Sequence, residues 1–421
     1  MNLPTPSSAA KHWDLDPNTV FLNHGSFGAC PRTVRTIQRD LQDQLEREPV
    51  HFMVERYRSL LDDSRRALAE FLHCDWTNLA PIANATTAVA TILRHLEDTK
   101  ALTPGDELLT NDHEYPACQN ILRATAARTG ASVITATLPF PCTSPDEIEH
   151  AILSRVTPRT RLVLISHVTS PSAIILPVER LVPALRAKNI LTLVDGAHAP
   201  GMVPTLNLRE LNPSFYTANC HKWLCTPKGS AFLYVDPTIQ PTIRPLVLSN
   251  NAERPIPSRP QFLTEFDFLG TTDQTAFMSI AASIPAMRTV AAEHFNLPSS
   301  DAWPAIMRHN HDLVLDGRDI LCRALNVTPP APAIMIGSIA TIFLPEHPLT
   351  LMDRLRQRPT KYHDALQDAL LARHRIQVPV WSIPGTTRRT LRISAQIYNA
   401  RAQYEYLADA LAEELHRERS F

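Results

Sequence analysis

Glycine, lysine and paired cysteines are scarce in this chain, and each scarcity limits what the protein can be. Of the 421 residues only 11 are glycine, against 36 prolines, so a glycine that remains is more often required by the backbone. Lysine occurs only at positions 11, 100, 188, 222, 228 and 361, so a lysine-dependent reaction has few places available. The 7 cysteines form no CxxC pair, which indicates reduced thiols rather than a disulfide framework.

Excess charge and long apolar runs are also missing. The 41 basic and 42 acidic residues give a net charge of −1, and no basic patch stands out, so we expect no nucleic-acid partner. No apolar run approaches the roughly 18 residues that span a bilayer, and the first residues lack the apolar core of a secretory signal. We therefore expect a cytoplasmic protein without membrane contact.

Residues 78 to 235 alternate short apolar runs with amphipathic stretches. This alternation predicts an α/β fold with a mostly parallel sheet that is covered on both faces. We predict a large domain over 45–290 and a smaller α+β domain built from 1–44 and 291–421. The predicted strands of the large sheet are Asn78–Ala83, Asp106–Thr110, Ser132–Thr137, Arg161–Ser166, Ile190–Val194, Ser214–Thr217 and Ser230–Val235.

Polar motifs follow several of these strands directly. They read NATT, NDHEYP, SHVTSPS, DGAHAPG and ANCHKW. Open α/β sheets bind ligands beyond the carboxyl ends of their strands. The motifs are therefore predicted to converge on one crevice, as the parts of an enzyme site would.

Lys222, in TANCHKWLC, is the lysine best placed for covalent chemistry. Its neighbours His221 and Trp223–Leu224 disfavour the ammonium form, as a lysine that binds pyridoxal 5′-phosphate (PLP) requires. Asp195 follows the mostly apolar run LTLV in LTLVDGAHAPG, where a carboxylate could pair with the pyridinium nitrogen of PLP. Taken alone, Lys222 would be interpreted as a surface lysine, and Asp195 has the cap of a following turn as its alternative interpretation. Their spacing, across one further strand and a turn, favours the cofactor interpretation.

Ala85, Thr86 and Thr87 open a helix pattern directly after a predicted strand. The free N–H groups and the dipole of a helix N-terminus favour a phosphate there, and threonine hydroxyls add donors. By themselves these residues are equally well explained as a helix cap. Gly270-Thr271-Thr272 is a second small turn with hydroxyls, and it is weaker.

Taken in order, the motifs resemble the isopenicillin N epimerase-like branch of the class V aminotransferases. They are FLNHGSFGACP, NATTAV, DHEYPA, SHVTSPS, VDGAHAPG, NCHKWLCTPKG, FLGTTD and LRISAQIYN. Cysteine desulfurases, kynureninases and C–S lyases are relatives of this branch. The resemblance covers nearly the whole chain, and it implies fold type I, a mostly parallel seven-stranded sheet, PLP, and a homodimer with its active site at the subunit interface.

The resemblance also implies roles for single residues. Lys222 would bind PLP covalently, Asp195 would hold the pyridine nitrogen, and His198 would approach the phenolic oxygen. His113 would stack on the ring. The predicted catalytic residues are Lys222, Asp195, His113 and Tyr115; the predicted cofactor ligands are Ala85, Thr86, Thr87, His113, Ser170, Asp195, His198, Asn219, His221, Lys222 and Thr271 of the partner subunit; the predicted substrate ligands are Asn23, Ser26 and Arg392, with Arg392 on the α-carboxylate.

Two positions bear on which reaction is catalysed. Tyr115 could be an acid for a leaving group or for Cα, or equally a half-buried packing residue. A desulfurase also needs a mobile cysteine nucleophile in its C-terminal domain. Cys322 is the last cysteine and lies in an apolar helical pattern, DILCRAL, so persulfide chemistry is not expected.

The leading hypothesis is a PLP-dependent lyase or epimerase of specialised metabolism. It would act on an amino acid through an external aldimine and a Cα carbanion. Carbon–carbon bond formation and cyclisation is the alternative within the family. A metal-dependent hydrolase is a third candidate, because several of the 17 histidines lie near strand ends. It is disfavoured, since no HxxE or paired-cysteine spacing appears and Lys222 would have no role; we expect no metal site.

Overall fold

The computed structural model of the chain describes residues 3–383, 386 and 388–420. The strands lie in sheets of seven, three and two strands. Numbered along the chain, they are β1 Val20–Phe21, β2 Leu79–Ile82, β3 Glu107–Asn111, β4 Ser132–Ala136, β5 Thr160–Ser166, β6 Leu191–Asp195, β7 Phe215–Asn219, β8 Ala231–Val235, β9 Ile339–Phe343, β10 Ile376–Gln377, β11 Val380–Ser382 and β12 Arg389–Ser394.

The α-helices lie between and around these strands. They are α1 His24–Phe27, α2 Arg32–Arg47, α3 Pro49–His51, α4 Tyr57–Leu72, α5 Ala85–Asp98, α6 Pro116–Thr129, α7 Pro145–Leu153, α8 Val178–Arg186, α9 Leu208–Leu211, α10 Gln261–Asp267, α11 Thr275–Met278, α12 Ile280–Phe295, α13 Ala302–Leu325, α14 Leu349–Arg356, α15 Ala365–His374 and α16 Arg401–Arg419.

The seven-stranded sheet confirms the predicted α/β fold. Its order is β2-β8-β7-β6-β5-β3-β4, and its pairs are parallel except those that β8 makes with β2 and β7. The predicted strands agree with these to within one or two residues at each end. The agreement arises because each strand is a short apolar run bounded by turn residues.

Both faces of this sheet are buried. On β5, Leu162 and Leu164 pack into one apolar cluster, while Val163 and Ile165 pack into another. Side chains alternate across a strand, so the two clusters lie on opposite faces. Residues of α5 join the first cluster and residues of α8 join the second. A strand covered on both sides must be apolar throughout, which explains the continuous apolar runs of the sequence.

The N-terminal and C-terminal segments meet beside the large sheet. β1 pairs with β10 in the register Val20 to Ile376, and the antiparallel sheet β11-β12-β9 carries Arg392 in its central strand. The division into a domain over 45–290 and a domain from 1–44 and 291–421 stays a prediction. Within the described residues, no helix is both long and apolar enough to cross a bilayer.

Candidate active site

A cavity of about 750 Å³ lies beyond the carboxyl ends of β2, β5, β6 and β7. Its volume is in the usual range for a small-molecule site. Most of the predicted site residues line it, which confirms that the polar motifs converge; Thr87, His113 and Thr271 are not among its lining residues. Those that line it are Asn23, Ser26, Ala85, Thr86, Tyr115, Ser170, Asp195, His198, Asn219, His221, Lys222 and Arg392.

The Lys222 amine lies 3.0 Å from Nε2 of His198. Nδ1 of the same ring accepts a hydrogen bond from the Trp223 indole N–H at 3.5 Å. Because an indole nitrogen only donates, Nδ1 of a neutral His198 must be the acceptor and Nε2 must carry the ring proton. That N–H can donate only to a Lys222 amine with a free lone pair. The hydrogen bonds therefore favour the unprotonated lysine, which is the nucleophilic form.

The electrostatics of these groups agree with this arrangement. Burial, together with the charge of Arg392, lowers the pKa of Lys222 to about 7. Burial and the charge of Lys222 also lower the pKa of His198 well below its usual value. Near neutral pH a large fraction of Lys222 is therefore a free amine, and His198 is neutral.

Asp195 ends β6 and is only 4% exposed. Its Oδ1 accepts the Ala197 backbone N–H at 2.9 Å, and its Oδ2 accepts the Cys118 S–H at 3.5 Å. Burial raises the pKa of Asp195, while the Ala197 N–H and the charge of Lys222 oppose this. A buried carboxylate at the edge of the cavity is suited to a cationic N–H donor such as a protonated pyridine.

The N-terminus of α5 faces the same cavity, but its donors are not all free. Asn84 caps the helix: its Oδ1 accepts the Thr87 backbone N–H at 2.8 Å and the Thr87 hydroxyl at 3.0 Å. The Ala85 N–H donates to Oδ1 of Asn219 at 2.9 Å. Thr86 lines the cavity, and its hydroxyl has no partner among the described residues. Both donors of Thr87 are bonded to Asn84, and the role of Thr87 as a cofactor ligand stays a prediction.

Arg392, on β12, is a buried cation without a carboxylate partner among the described residues. Its Nη1 donates to the Ser170 carbonyl at 2.8 Å and to Ser170 Oγ at 3.1 Å, and its Nη2 donates to Ser26 Oγ at 3.1 Å. Nε is buried with no partner in the described chain, and the guanidinium lies 5.0 Å from the centre of the Trp381 ring. Such a desolvated guanidinium is suited to a carboxylate ligand.

The segment before α2 is fixed against the loop that carries Lys222. Ser26 Oγ donates to Asn23 Oδ1 at 2.6 Å, which orients it toward Arg392. His24 Nε2 lies 3.0 Å from the Lys222 carbonyl. Gly28 has φ +70°, and a Cβ there would lie 1.9 Å from the His221 carbonyl oxygen. Only glycine allows this approach, which explains one of the few glycines of the chain.

The model of the family described as Aminotransferase class-V matches residues 21–284. The chain belongs to the class V aminotransferases. Over 409 residues it is 31% identical to an isopenicillin N epimerase of Streptomyces clavuligerus, which covers 94% of this chain and 95% of that protein. Over 416 residues it is 26% identical to a probable chloroplastic L-cysteine desulfhydrase of Arabidopsis thaliana, which covers 94% of this chain and 83% of that protein.

A solved structure shares the fold of this class V aminotransferase. It is a C-DES mutant with glycine covalently linked to its PLP cofactor, and it superposes with a TM-score of 0.74 at 20% identity. The superposition covers 96% of this chain and 99% of that one. The comparisons confirm fold type I and PLP as the cofactor. The chain therefore stands among PLP-dependent epimerases and lyases.

The geometry of the cavity fits PLP. Lys222 offers a free amine for the aldehyde carbon, Asp195 offers a buried carboxylate for the ring nitrogen, and His198 offers an N–H for an oxygen beside the amine. His221 also lines the cavity, and its Nδ1 lies 3.1 Å from the Ser230 carbonyl. Burial and Lys222 lower the pKa of His221 to about 4, and a bound phosphate would act in the opposite direction.

His113 is held by contacts outside the cavity lining. Its Nδ1 lies 2.8 Å from Ser172 Oγ, its ring meets Phe140 edge-on at 5.4 Å, and it is 1% exposed. It does not line the cavity, and its stacking on the cofactor ring stays a prediction. Tyr115, two residues further on, lines the cavity and is 44% exposed. The segment His113-Glu114-Tyr115 follows the end of β3. The sequence alone does not show whether the ring of His113 or the ring of Tyr115 faces the cavity.

Thr271 is exposed in the turn between α10 and α11 and does not line the cavity of its own chain. Its predicted role in the site of a partner subunit stays a prediction.

The sequence also left two supporting residues without a definite role. Trp381 packs under Arg392, and its Nε1 donates to the Pro171 carbonyl at 3.1 Å; Trp223 sets the tautomer of His198. Trp223 lies within the predicted motif NCHKWLCTPKG, which was the available signal for it.

Proposed function

We propose that this enzyme is a PLP-dependent lyase or epimerase that acts at Cα of an α-amino acid. The proposal rests above all on Arg392, a buried guanidinium without a carboxylate partner among the described residues. It lies close enough to Lys222 for its charge to lower the pKa of the amine. A carboxylate held by Arg392 would thus place the adjacent Cα beside that amine.

Each residue of the cavity then has a proposed role. When bound, PLP withdraws electrons from the bonds to Cα. Asp195 would hold the ring nitrogen in its protonated form, and His198 would donate its Nε2–H to the phenolic oxygen. Thr86, Asn219 and His221 would hold the phosphate. The amine of Lys222 would be the base that takes the Cα proton of the substrate.

Persulfide chemistry is not part of the proposal. Cys322 lies within α13 and is 4% exposed, and burial raises the pKa of its thiol to about 11. It does not line the cavity. A thiol that is buried and protonated at neutral pH is not a nucleophile.

The substrate side chain would extend toward the mouth of the cavity. Lys361, Tyr362 and His363 line that region together with Gln367. Lys361, Tyr362 and His363 lie between α14 and α15, and Gln367 lies in α15. Asp364, which follows His363, is held in place by Arg389 through hydrogen bonds of 2.7 and 2.8 Å.

We also propose a homodimer, with Thr271 of the partner subunit beside the phosphate. Several large apolar side chains are exposed in the single chain, among them Phe27 at 73%, Val50 at 77% and Leu248 at 60%, and apolar surface of this kind is typical of an interface. Sedimentation velocity would measure the assembly, and a monomer would contradict it. A role in specialised metabolism and a cytoplasmic location complete the proposal.

The reaction type can be tested by incubating the enzyme with amino-acid mixtures in deuterated water. Deuterium at Cα with mixed stereochemistry would indicate an epimerase, whereas a keto acid with a released fragment would indicate a lyase. A coupled product would indicate the carbon–carbon bond-forming alternative. No exchange and no product with any α-amino acid would contradict the proposal.

Tyr115 is proposed to act on the leaving group or on Cα from within the cavity. Tyr115→Phe keeps the ring and removes only the acidic hydroxyl. We expect Cα–deuterium exchange to continue, while the elimination or reprotonation that follows slows by about 10²–10⁴-fold, the usual contribution of a general acid. Normal turnover would mean that Tyr115 is a packing residue. Loss of exchange as well would place its action earlier, in substrate placement.

A further inference from the structure

Glu114, the middle residue of the HEY segment, is a buried acid that the proposed reaction leaves without a role. It is 0% exposed. Its Oε1 accepts the Ser166 hydroxyl at 2.7 Å and the Tyr115 backbone N–H at 2.7 Å. Its Oε2 is buried with no hydrogen-bond partner in the described chain. An ionised carboxylate would be expected to bind donors at both oxygens.

Asp195 lies beside it. One carboxylate oxygen of each acid and the Cys118 sulfur lie within 4.8 Å of one another. Two buried carboxylates so close together repel each other, and no bulk water reduces the cost, so one of them retains a proton. The geometry of the pair therefore requires that the two acids differ in charge.

The contacts decide which acid is ionised. Asp195 accepts the Ala197 N–H at 2.9 Å at one oxygen and the Cys118 S–H at 3.5 Å at the other, so both of its oxygens have a donor. Glu114 accepts only neutral donors, the Ser166 hydroxyl and the backbone N–H groups of Tyr115 and Ser166, and its Oε2 has no partner in the described chain. Burial, and then the charge of Asp195, raise the pKa of Glu114 to about 8. Cys118 does not compete for the charge, because burial also raises the pKa of its thiol.

We propose that Glu114 is a positioning residue that holds the proton of a buried carboxyl pair, so that only Asp195 carries a charge toward the ring nitrogen of PLP. The pair then presents a single negative charge to a single pyridinium. This inference rests on the proposed role of Asp195, but the protonation of Glu114 can be measured independently of turnover. The ionisable groups that face Glu114 are Asp195 and Cys118.

The direct test is infrared spectroscopy of the purified holoenzyme near neutral pH. Glu114→Gln should remove the C=O band of a neutral carboxylic acid. Glu107→Gln is the matched control, because Glu107 is equally buried at 3% exposure but accepts Arg159 Nε at 2.9 Å. Hydrogen bonds from Thr157 and Arg159 lower the pKa of Glu107, so that variant should keep the band. A band unchanged by Glu114→Gln would overturn the proposal.

Stability against pH gives a second readout. Between the ordinary carboxyl value of 4.5 and about 8, the folded chain binds the Glu114 proton and the unfolded chain does not. Stability contributed by this group therefore falls as pH rises through that window. Wild type should lose thermal stability relative to Glu114→Gln between about pH 5 and 8. An equal pH dependence in both proteins would contradict the inference.

Coupling between the acids separates this inference from the proposed function. In Asp195→Asn the neighbouring charge is gone, so the Glu114 band should disappear at a lower pH than in the wild type. An unshifted midpoint would mean that the acids are not a coupled pair. If Asp195→Asn shifts the midpoint but keeps full turnover, the carboxyl pair stands and the proposed role of Asp195 at the ring nitrogen fails.

Discussion

Replacing Lys222 with alanine is expected to abolish turnover and the covalent retention of PLP. Its amine is the one placed beside His198 in the cavity, and a pKa lowered to about 7 makes it both a nucleophile and a base near neutral pH. Loss of the base alone typically costs about 10²–10⁴-fold in rate, and loss of the covalent link adds to this. Steady-state kinetics and the visible absorbance of the purified variant would measure both effects.

Lys228 provides the matched control, since it lies in the same loop. Its Nζ donates to the Gly28 carbonyl at 3.0 Å, away from His198, and it does not line the cavity. Lys228→Ala should keep PLP and most of the activity. A Lys222→Ala protein that still formed a covalent PLP link through Lys228 would refute the assignment.

Replacing Arg392 with lysine is expected to raise KM for α-amino acids steeply. The guanidinium is held by the Ser170 carbonyl, by Ser26 and by the Trp381 ring, so its planar fork is fixed for a carboxylate with two oxygens. An ammonium group cannot reproduce these contacts or a bidentate pair. Losing one partner of a buried charged pair costs about 2–5 kcal/mol. Comparing kcat and KM for an amino acid and for its decarboxylated amine would measure the effect.

Arg389, on the same strand, separates this effect from damage to the strand. It is 4% exposed and bonds to Asp364 and to Glu418, the latter at 2.8 and 3.0 Å. Arg389→Lys should lower thermal stability and leave the preference for a carboxylate unchanged. If kcat and KM of the Arg392→Lys enzyme for amino acids and for amines equalled those of the wild type, Arg392 would not bind the carboxylate.

The strands and the Lys222, Asp195 and His198 constellation could be predicted from the sequence, because both depend on local patterns. A buried parallel strand is a short apolar run, and the polar residue that follows it lies at the binding edge of the sheet. Spacing along the chain therefore gave the position of these three residues. The small sheet β11-β12-β9 is predicted less directly from the sequence. Its strands are short, and β12 pairs with β9, which lies far earlier in the chain.

Other features depend on the direction in which a side chain points, which spacing does not give. His113 turns to Ser172 while Tyr115 faces the cavity, although both belong to one motif. Thr87 donates its hydroxyl to the capping residue Asn84, whereas the hydroxyl of its neighbour Thr86 has no partner among the described residues. Arg389 follows a polar stretch of the sequence, yet it is buried and paired with Asp364 and Glu418. Each outcome is decided by tertiary partners far along the chain.

The central claim is that Lys222 binds PLP covalently beside Asp195 and His198. Borohydride reduction of the purified enzyme, followed by proteolysis and mass spectrometry, tests it most directly. We predict a pyridoxyl group on Lys222 and on no other lysine when the modified peptide is fragmented. A pyridoxyl group on Lys228 or Lys361, or no modified lysine in an enzyme that absorbs in the visible, would contradict this.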